Sequence, residues 1–263
     1  MFRRHVLAVL CAGLLFALPK SATAATIGFY SNNAAGTPSA AITASGNTPV
    51  ALANLTAGDL AGLQVLWILN GINGTPNATI MNNLAAISAF VAGGGVLSFH
   101  DRNVSQGVSA ATYIPGAAGV TFVTELAAEI TVLTSNGVTN GPAGVIGQTT
   151  LDGGNFSDHG YALEATLPVG AVGVLSTGDR THIVDFYYQF GLGWVYYSTI
   201  PMDFYFAGGG NNPPGDAFRF IYGPNEAGFQ ASLAGQAVPE PGTVLLLGGG
   251  LALLATRLRR RRA

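Results

Sequence analysis

Cysteine and lysine are almost absent from this 263-residue sequence, which contains one of each, Cys11 and Lys20. Both lie in a segment with a basic start, an apolar run over Val6–Leu18 and small residues at Ala22 and Ala24. This pattern predicts a secretory signal peptide over residues 1–24, cleaved after Ala24. The mature chain would then contain no cysteine, which excludes disulfides, thiolate nucleophiles and cysteine-ligated zinc.

Basic residues are also scarce in the segment that remains. Residues 25–237 contain three of them, Arg102, Arg180 and Arg219, against twelve acidic residues, for a formal charge of −9. A surface of this charge offers no basic patch to a phosphate backbone, so we do not expect nucleic acid as a partner. The length of the segment suits one secreted domain with a substantial core.

Two continuous apolar runs define the predicted fold. Val65–Asn70 and Val96–Phe99 are typical of strands buried on both faces of a sheet. Between them, apolar residues at helical spacing over 80–91 predict a helix, with Asn77 or Thr79 as its cap. A strand, a helix and a strand in this order predict a right-handed βαβ unit with parallel strands.

The rest of the chain extends this α/β prediction. Ala25–Tyr30 and Ala171–Ser176 are typical of further strands, and Phe218–Leu233 predicts a terminal helix interrupted near Pro224. His182–Tyr188 and Gly193–Ile200 flank a glycine-containing turn and predict an aromatic hairpin toward one edge of the sheet. The hairpin's aromatic side chains either form a carbohydrate-stacking face or divide between core and solvent.

The densest polar cluster is His100-Asp101-Arg102, directly after the second apolar run. Ligands of open α/β sheets bind beyond the carboxyl ends of the strands, so these three residues are candidates for ligand binding. Strand alternation would place His100 and Asp101 on opposite faces. The alternative interpretation is structural: a salt bridge, with the histidine capping a neighbouring loop.

A second polar cluster, with Asp152, Asn155, Asp158 and His159, lies in a glycine-rich stretch predicted to be a loop over Asp152–Gly160. Asp158 and His159 are further candidates for ligand binding. Oxygen ligands of this kind suit Ca²⁺, but the spacing differs from that of an EF-hand, and such residues are also ordinary turn formers.

A combined metal site of His100, Asp101 and His159 is a further hypothesis, because two histidines and one carboxylate can hold a transition metal. No serine occupies a G-x-S-x-G elbow, so a serine hydrolase is not indicated. The sequence specifies no cofactor.

The C-terminal segment, VPEPGTVLLLGGGLALLATRLRRRRA over 238–263, resembles a PEP-CTERM sorting signal. Its parts are Pro239-Glu240-Pro241, an apolar span and a terminal arginine cluster. The resemblance implies cleavage by an exosortase near Pro239–Pro241, in a Gram-negative bacterium that makes extracellular polysaccharide. The apolar part is short for a transmembrane helix, and its arginines would stay on the cytoplasmic side of the inner membrane. The alternative is a permanent membrane anchor.

The central segment has a second resemblance. VLWILNG at 65–71, FVAGGGVLSFHDR at 90–102 and GLGWVYYSTIPMDFYF at 191–206 resemble the class I glutamine-amidotransferase-like superfamily, especially its secreted members. The resemblance implies a three-layer α/β sandwich with a mainly parallel, flavodoxin-like sheet. That superfamily's enzymes use a cysteine paired with a histidine, and a mature chain without cysteine cannot carry out that chemistry.

These observations predict an exported, surface-associated protein whose domain is catalytically silent and binds a ligand or polysaccharide. Its processing partners would be signal peptidase and an exosortase, and it would pass through the inner membrane to the cell surface or the extracellular matrix. The alternative is a metal-dependent hydrolase or lyase that acts on extracellular polysaccharide through His100, Asp101 and His159.

Overall fold

A ten-stranded mixed sheet lies at the centre of the structure, a computed structural model that describes residues 24–235. The strands are β1 (Thr26–Asn32), β2 (Thr48–Ala51), β3 (Val65–Asn70), β4 (Val96–Asp101), β5 (Phe122–Ala127), β6 (Thr131–Val132), β7 (Asn140–Gly141), β8 (Gly144–Val145), β9 (Asp158–Leu163), β10 (Val172–Ser176), β11 (His182–Phe190) and β12 (Gly193–Ser198). Of these, β7 and β8 form a separate two-stranded sheet.

The order of the main path through the sheet is β2-β1-β3-β4-β12-β11-β10-β6. The first five strands of that path run parallel, and the pairs from β12 to β6 are antiparallel. On a side branch, β9 pairs with β11 and with β5. The predicted parallel pairing of β3 with β4 is confirmed, with Leu66 opposite Leu97 and Ile68 opposite Phe99.

Seven helices accompany the sheet in the described part of the chain. They are α1 (Ser39–Ala44), α2 (Ala57–Leu60), α3 (Ala78–Asn82), α4 (Leu84–Ala92), α5 (Met202–Phe206), α6 (Pro214–Ala217) and α7 (Gly223–Gly235). A π-helical turn over Phe218–Tyr222 joins α6 to α7 and ends just before Pro224, the residue near which the sequence predicted an interruption. Single 3₁₀ turns occur at Ala110–Thr112 and Glu164–Thr166.

The helix predicted between β3 and β4 is divided in two. The Asn77 side chain accepts a hydrogen bond from the backbone N–H of Ile80 at 3.1 Å, which caps the start of α3. At Asn83 the backbone leaves the helical region, and the side chain donates to the carbonyl oxygen of Thr79 at 2.8 Å. A short polar side chain that bonds to the preceding turn competes with helix continuation, which explains the break.

Apolar clusters lie on both faces of the sheet, because alternate residues of its central strands point to opposite sides. On one face, Leu66 and Ile68 of β3 lie in the same apolar cluster as Ile87 of α4. On the other face, Trp67 lies in a cluster with Ile42 of α1 and Ala227 of α7. Each large side chain buried in this way stabilises the fold by roughly 1.5–3 kcal/mol.

The aromatic hairpin formed by β11 and β12 lies inside the sheet, and its predicted position toward an edge is wrong. The sequence places aromatic residues at adjacent positions, such as Tyr196 and Tyr197, so both faces of the hairpin are apolar. Both of these tyrosines are fully buried, and they lie in different clusters. Phe186 and Tyr188 are also buried, whereas Tyr187, Phe190 and Trp194 are partly exposed and pack against the clusters, so most of the aromatic surface belongs to the core.

The stretch predicted as a loop over Asp152–Gly160 ends as a strand, since β9 begins at Asp158. Gly160 explains how β9 fits against β5. Its φ is 153°, and a Cβ there would lie 2.2 Å from the carbonyl oxygen of Val123. Only glycine permits this close approach of two backbones. As a result, Asp158 and His159 are buried residues of a sheet.

Within residues 24–235, none of the helices combines the length and the apolar character needed to cross a membrane. Residues 1–23 of the predicted signal peptide (1–24) and the predicted transmembrane helix within 238–263 lie outside the described residues.

Candidate functional site

Three strands end in polar residues that are hydrogen-bonded across the sheet. Asn32 ends β1, Asn70 ends β3 and Asp101 ends β4, and the register places them side by side. The amide of Asn32 donates to Asn70 at 2.6 Å, and the amide of Asn70 donates to Asp101 at 2.8 Å. This chain of bonds crosses the carboxyl edge of the parallel strands, where open α/β sheets bind their ligands.

Asp101 is fully buried and accepts five hydrogen bonds. Besides Asn70, the donors are the hydroxyls of Tyr113 at 2.6 Å and Tyr197 at 2.9 Å and the backbone N–H groups of Asn103 and Val104. Burial raises the pKa of Asp101, and these donors oppose the rise. Both oxygens are saturated by the protein. We call the group Asn32, Asn70, Asp101, Tyr113 and Tyr197 the Asp101 cluster.

His100 points to the opposite face, as strand alternation predicts. Its Nε2 lies 3.0 Å from Oε1 of Glu226 on α7, and that oxygen also accepts the hydroxyl of Ser98 at 2.8 Å. His100 is 2% exposed. Burial lowers its pKa, but the charge and hydrogen bond of Glu226, the charge of Asp185 and a backbone hydrogen bond at Ile200 together outweigh burial, so the net shift of the pKa is upward. His100 therefore joins α7 to the sheet and has no access to solvent.

The three residues of the metal hypothesis do not converge. His100 contacts α7, Asp101 lies within its own cluster on the other face, and His159 lies on β9, between β11 and β5. In the region spanning residues 24–235, no group of three or more His, Cys, Asp or Glu side chains is arranged to hold a metal ion. Alternation along β4 explains why His100 and Asp101 cannot share one site.

Arg102 and His159, from separate predicted clusters, do come together in a cleft of about 220 Å³. The cleft lies where the chain leaves β3, β4 and β12 and enters β9, and its lining residues are Asn73, Arg102, Leu126, Asn155, Phe156, His159, Pro201 and Phe204. We refer to it as the Arg102 cleft. Asp152 is not among these residues and accepts the backbone N–H of Ile130 at 2.7 Å.

Asp203 orients Arg102 within the cleft. The Nε of Arg102 donates to Oδ1 of Asp203 at 2.9 Å, and the other oxygen of Asp203 accepts the backbone N–H of Ala35 at 3.2 Å. The Arg102 guanidinium also lies 5.8 Å from the ring centre of Phe204. The sequence interpretation missed Asp203 and Phe204. The rule that selected His100–Arg102 could have found them, since they follow the carboxyl end of β12.

His159 is neutral at pH 7. Burial, followed by the positive charge of Arg102, lowers its pKa to about 4. Its backbone N–H donates to the carbonyl oxygen of Thr199 at 3.0 Å, which fixes β9 beside the end of β12. Its Nδ1 is buried without a hydrogen-bond partner among the described residues. A neutral imidazole can donate to or accept from a hydroxyl group of a ligand.

Asp158 does not line the Arg102 cleft. It is fully buried, its Oδ1 accepts the backbone N–H of Gly160 at 3.2 Å, and its Oδ2 has no partner in the described part of the chain. Burial raises its pKa to about 8, so it holds a proton at neutral pH. The structure therefore separates Asp158 from its neighbour His159 in environment, although both groups are uncharged at pH 7.

Backbone strain is concentrated at the same edge of the sheet. Four non-glycine residues of the described chain have positive φ angles: Asn33, Val104, Asn155 and Phe156. Asn33 follows β1, Val104 follows β4 closely, and the other two line the Arg102 cleft. The left-handed region is unusual for a β-branched or bulky residue such as Val104 or Phe156, and strain of this kind is concentrated at functional sites in proteins.

The C-terminal residues 237–262 match the PEP-CTERM protein-sorting motif. This match confirms the resemblance seen in the sequence and supports an exported, membrane-passing protein that an exosortase processes. No curated protein matches the chain.

Several solved structures are similar to this chain to differing degrees. A cytoplasmic protein from Salmonella typhimurium has a TM-score of 0.52 at 11% identity, over 80% of this chain and 98% of its own. A second cytoplasmic protein, from Salmonella typhimurium LT2, has a TM-score of 0.47 at 11% identity. The match covers 79% of this chain and 99% of that protein. A β-galactosidase from the haloarchaeon Halorubrum lacusprofundi has 0.43 at 12% identity, over 83% of this chain and 31% of its own. At such identities the likeness concerns the fold alone. It does not confirm an amidotransferase-like relationship.

Proposed function

We propose that this protein is a binding component of the cell surface or extracellular matrix of a Gram-negative bacterium, and that its domain binds a ligand or polysaccharide in the Arg102 cleft. The observation that carries the proposal is the meeting of Arg102 and His159, from two distant parts of the sequence, in one cleft at the carboxyl edge of the parallel strands. This edge is the usual ligand site of open α/β sheets.

The buried polar groups favour binding over catalysis. Ser98, His100 and Glu226 are within hydrogen-bonding distance of one another, but each is at most 2% exposed. A nucleophile and a base that no substrate can reach serve to fix α7 on the sheet. With no cysteine after residue 24, the domain is catalytically silent with respect to amidotransfer. The parallel order β2-β1-β3-β4-β12 matches that of flavodoxin-like sheets and supports the amidotransferase-like assignment at the level of fold.

Binding can be tested with the processed protein, purified from the surface fraction of the producing cells, on columns of those cells' own polysaccharide. We expect the protein to be retained and His159→Ala to reduce retention several-fold, because the change removes a polar wall of the cleft. Arg180→Ala, an exposed change outside the cleft, is the control and should be retained normally. Equal retention of all three proteins would mean that the cleft is not the binding site.

Processing has its own test. We propose that signal peptidase cleaves after Ala24 and that an exosortase at the inner membrane cleaves close to Pro239–Pro241, which releases the domain from its apolar tail. The intact mass of protein from the surface fraction should correspond to a chain that begins at Ala25 and ends near those prolines. A mass that still includes 245–263 would show that the segment is a permanent anchor.

A further inference from the structure

Arg102 presents two unused donor groups to the cleft. Asp203 occupies the Nε of the guanidinium at 2.9 Å, and the second oxygen of Asp203 is taken by the backbone of Ala35. For both Nη groups, residues 24–235 provide no hydrogen-bond acceptor. The side chain is 20% exposed, so it is held in place but not enclosed. A fixed guanidinium with a free outer edge is a preorganised donor pair.

We propose that the Arg102 cleft is specific for a carboxylate carried on a small ring, and that the two Nη groups of Arg102 determine this specificity. The inference rests on the proposed function, because it identifies the chemical class of ligand for the same cleft. Two parallel N–H groups of a guanidinium match the two oxygens of a carboxylate in spacing and direction. A uronic acid within a polysaccharide and a free ring carboxylate both supply this chemistry.

The size and walls of the cleft favour a single ring. Its volume of about 220 Å³ is below the roughly 300–1,000 Å³ typical of sites for drug-sized ligands, so one small unit fits. Phe156 and Phe204 give it apolar walls, and His159 adds a neutral group that can bond to a hydroxyl. The arrangement therefore combines a contact for the acid group with contacts for a ring and its hydroxyls.

Short-range geometry, rather than net charge, is the basis of this specificity. The charge of Arg102 is offset by Asp203, and the secreted domain carries a formal charge of −9. Long-range attraction does not draw an anion to this protein. A substitution that keeps the positive charge but removes the planar donor pair should therefore be nearly as damaging as loss of the charge.

Calorimetric titration of the processed protein with three probes tests the proposal: galacturonate, galactose and cyclohexanecarboxylate. Hydrogen bonds to charged groups contribute about 1.5 kcal/mol or more, so galacturonate should bind about tenfold tighter than galactose. Arg102→Lys should remove most of that difference. The double variant Arg102→Gln with Asp203→Asn should do the same without leaving a buried unpaired charge. Arg219→Gln is the matched control, because Arg219 pairs with Asp216 outside the cleft, and it should bind like the wild type.

Each outcome has a distinct meaning. Equal binding of galacturonate and galactose, lost in a His159→Ala protein, would overturn the carboxylate specificity and leave the proposed function intact. Binding of none of the probes or of the cells' polysaccharide would overturn both. A preference for galacturonate that survives in both Arg102 variants would also overturn the inference. Equally tight binding of cyclohexanecarboxylate would support the carboxylate contact and identify a free ring acid, rather than a polysaccharide, as its source.

Discussion

The Asp101 cluster and the Arg102 cleft lie at the same edge of the sheet, around adjacent residues of the chain, yet they differ in how completely their polar groups are bonded. Asp101 is fully buried and accepts five hydrogen bonds, whereas Arg102 is 20% exposed and one of its three nitrogens is bonded to Asp203. A saturated polar group has no capacity left for a ligand. Incomplete bonding beside a cleft therefore distinguishes a candidate binding group from a structural one.

The largest expected effect is on stability and comes from removing the carboxylate of Asp101, whose hydrogen bonds are complete. Asp101→Ala would leave five donors without their acceptor, and each unsatisfied buried group costs about 1–3 kcal/mol. We expect the free energy of unfolding to fall by about 4 kcal/mol or more, measured by urea denaturation.

The matched change in the Arg102 cleft is Arg102→Gln together with Asp203→Asn. It should lower stability by about 1 kcal/mol, because both charges of this largely buried pair are removed together and neither is left unpaired. Equal losses in the two proteins would mean that the Arg102 pair is as structural as Asp101.

The next effect concerns the adjacent residues Asp158 and His159, whose pKa values shift in opposite directions. Asp158 has a pKa of about 8 in the fold, above its unfolded value, so the folded state holds the proton more tightly and stability falls as pH rises toward 8. The slope is about 1.4 kcal/mol per pH unit. His159 has a pKa of about 4, below its unfolded value, so it raises stability with pH between about 4 and 6.5 and contributes little above that.

Denaturation of wild type and Asp158→Asn between pH 7 and 8 isolates the contribution of Asp158. Asp185, whose pKa burial and Glu226 raise to about 7, also titrates near this range, but it is common to both proteins, as is His100 with its raised pKa. The wild type should lose about 1 kcal/mol more over this interval than the variant. Parallel curves would show that Asp158 is already ionised at pH 7.

The smallest effect tests the strained wall of the cleft. Phe156 has φ of 64° and is 49% exposed, and asparagine tolerates that conformation better. Phe156→Asn should raise the free energy of unfolding by up to about 1 kcal/mol and weaken binding of galacturonate. Leu126→Asn is the control, since Leu126 is equally exposed on β5 and has no positive φ, so it should bring no gain in stability.

The sequence was sufficient to predict the centre of the sheet, because β3 and β4 are continuous apolar runs whose neighbours are fixed by the βαβ connection. Tyr196 and Tyr197 contain the information that β12 is central, since adjacent aromatic residues need two covered faces. For the Arg102 cleft, the sequence predicts individual residues but not which of them lie close together. Arg102 and His159 could be selected by type and position, but their meeting depends on long-range contacts such as that of His159 with Thr199. The roles of Tyr113 and Glu226 depend on similar distant contacts, which local patterns do not encode.

The end of α7 at Gly235 limits the space in which the sorting motif can be cleaved. Four peptide units separate Gly235 from Pro239, and at about 3.5 Å each they span at most about 14 Å. Glu226 and Gln230 secure α7 to the core through buried hydrogen bonds to Ser98. A cut close to Pro239, as proposed, would fall within about 14 Å of chain from α7, and the product would keep only a few residues beyond that helix. If the product remains at the cell surface, as proposed, contacts made by the folded domain itself would have to hold it there.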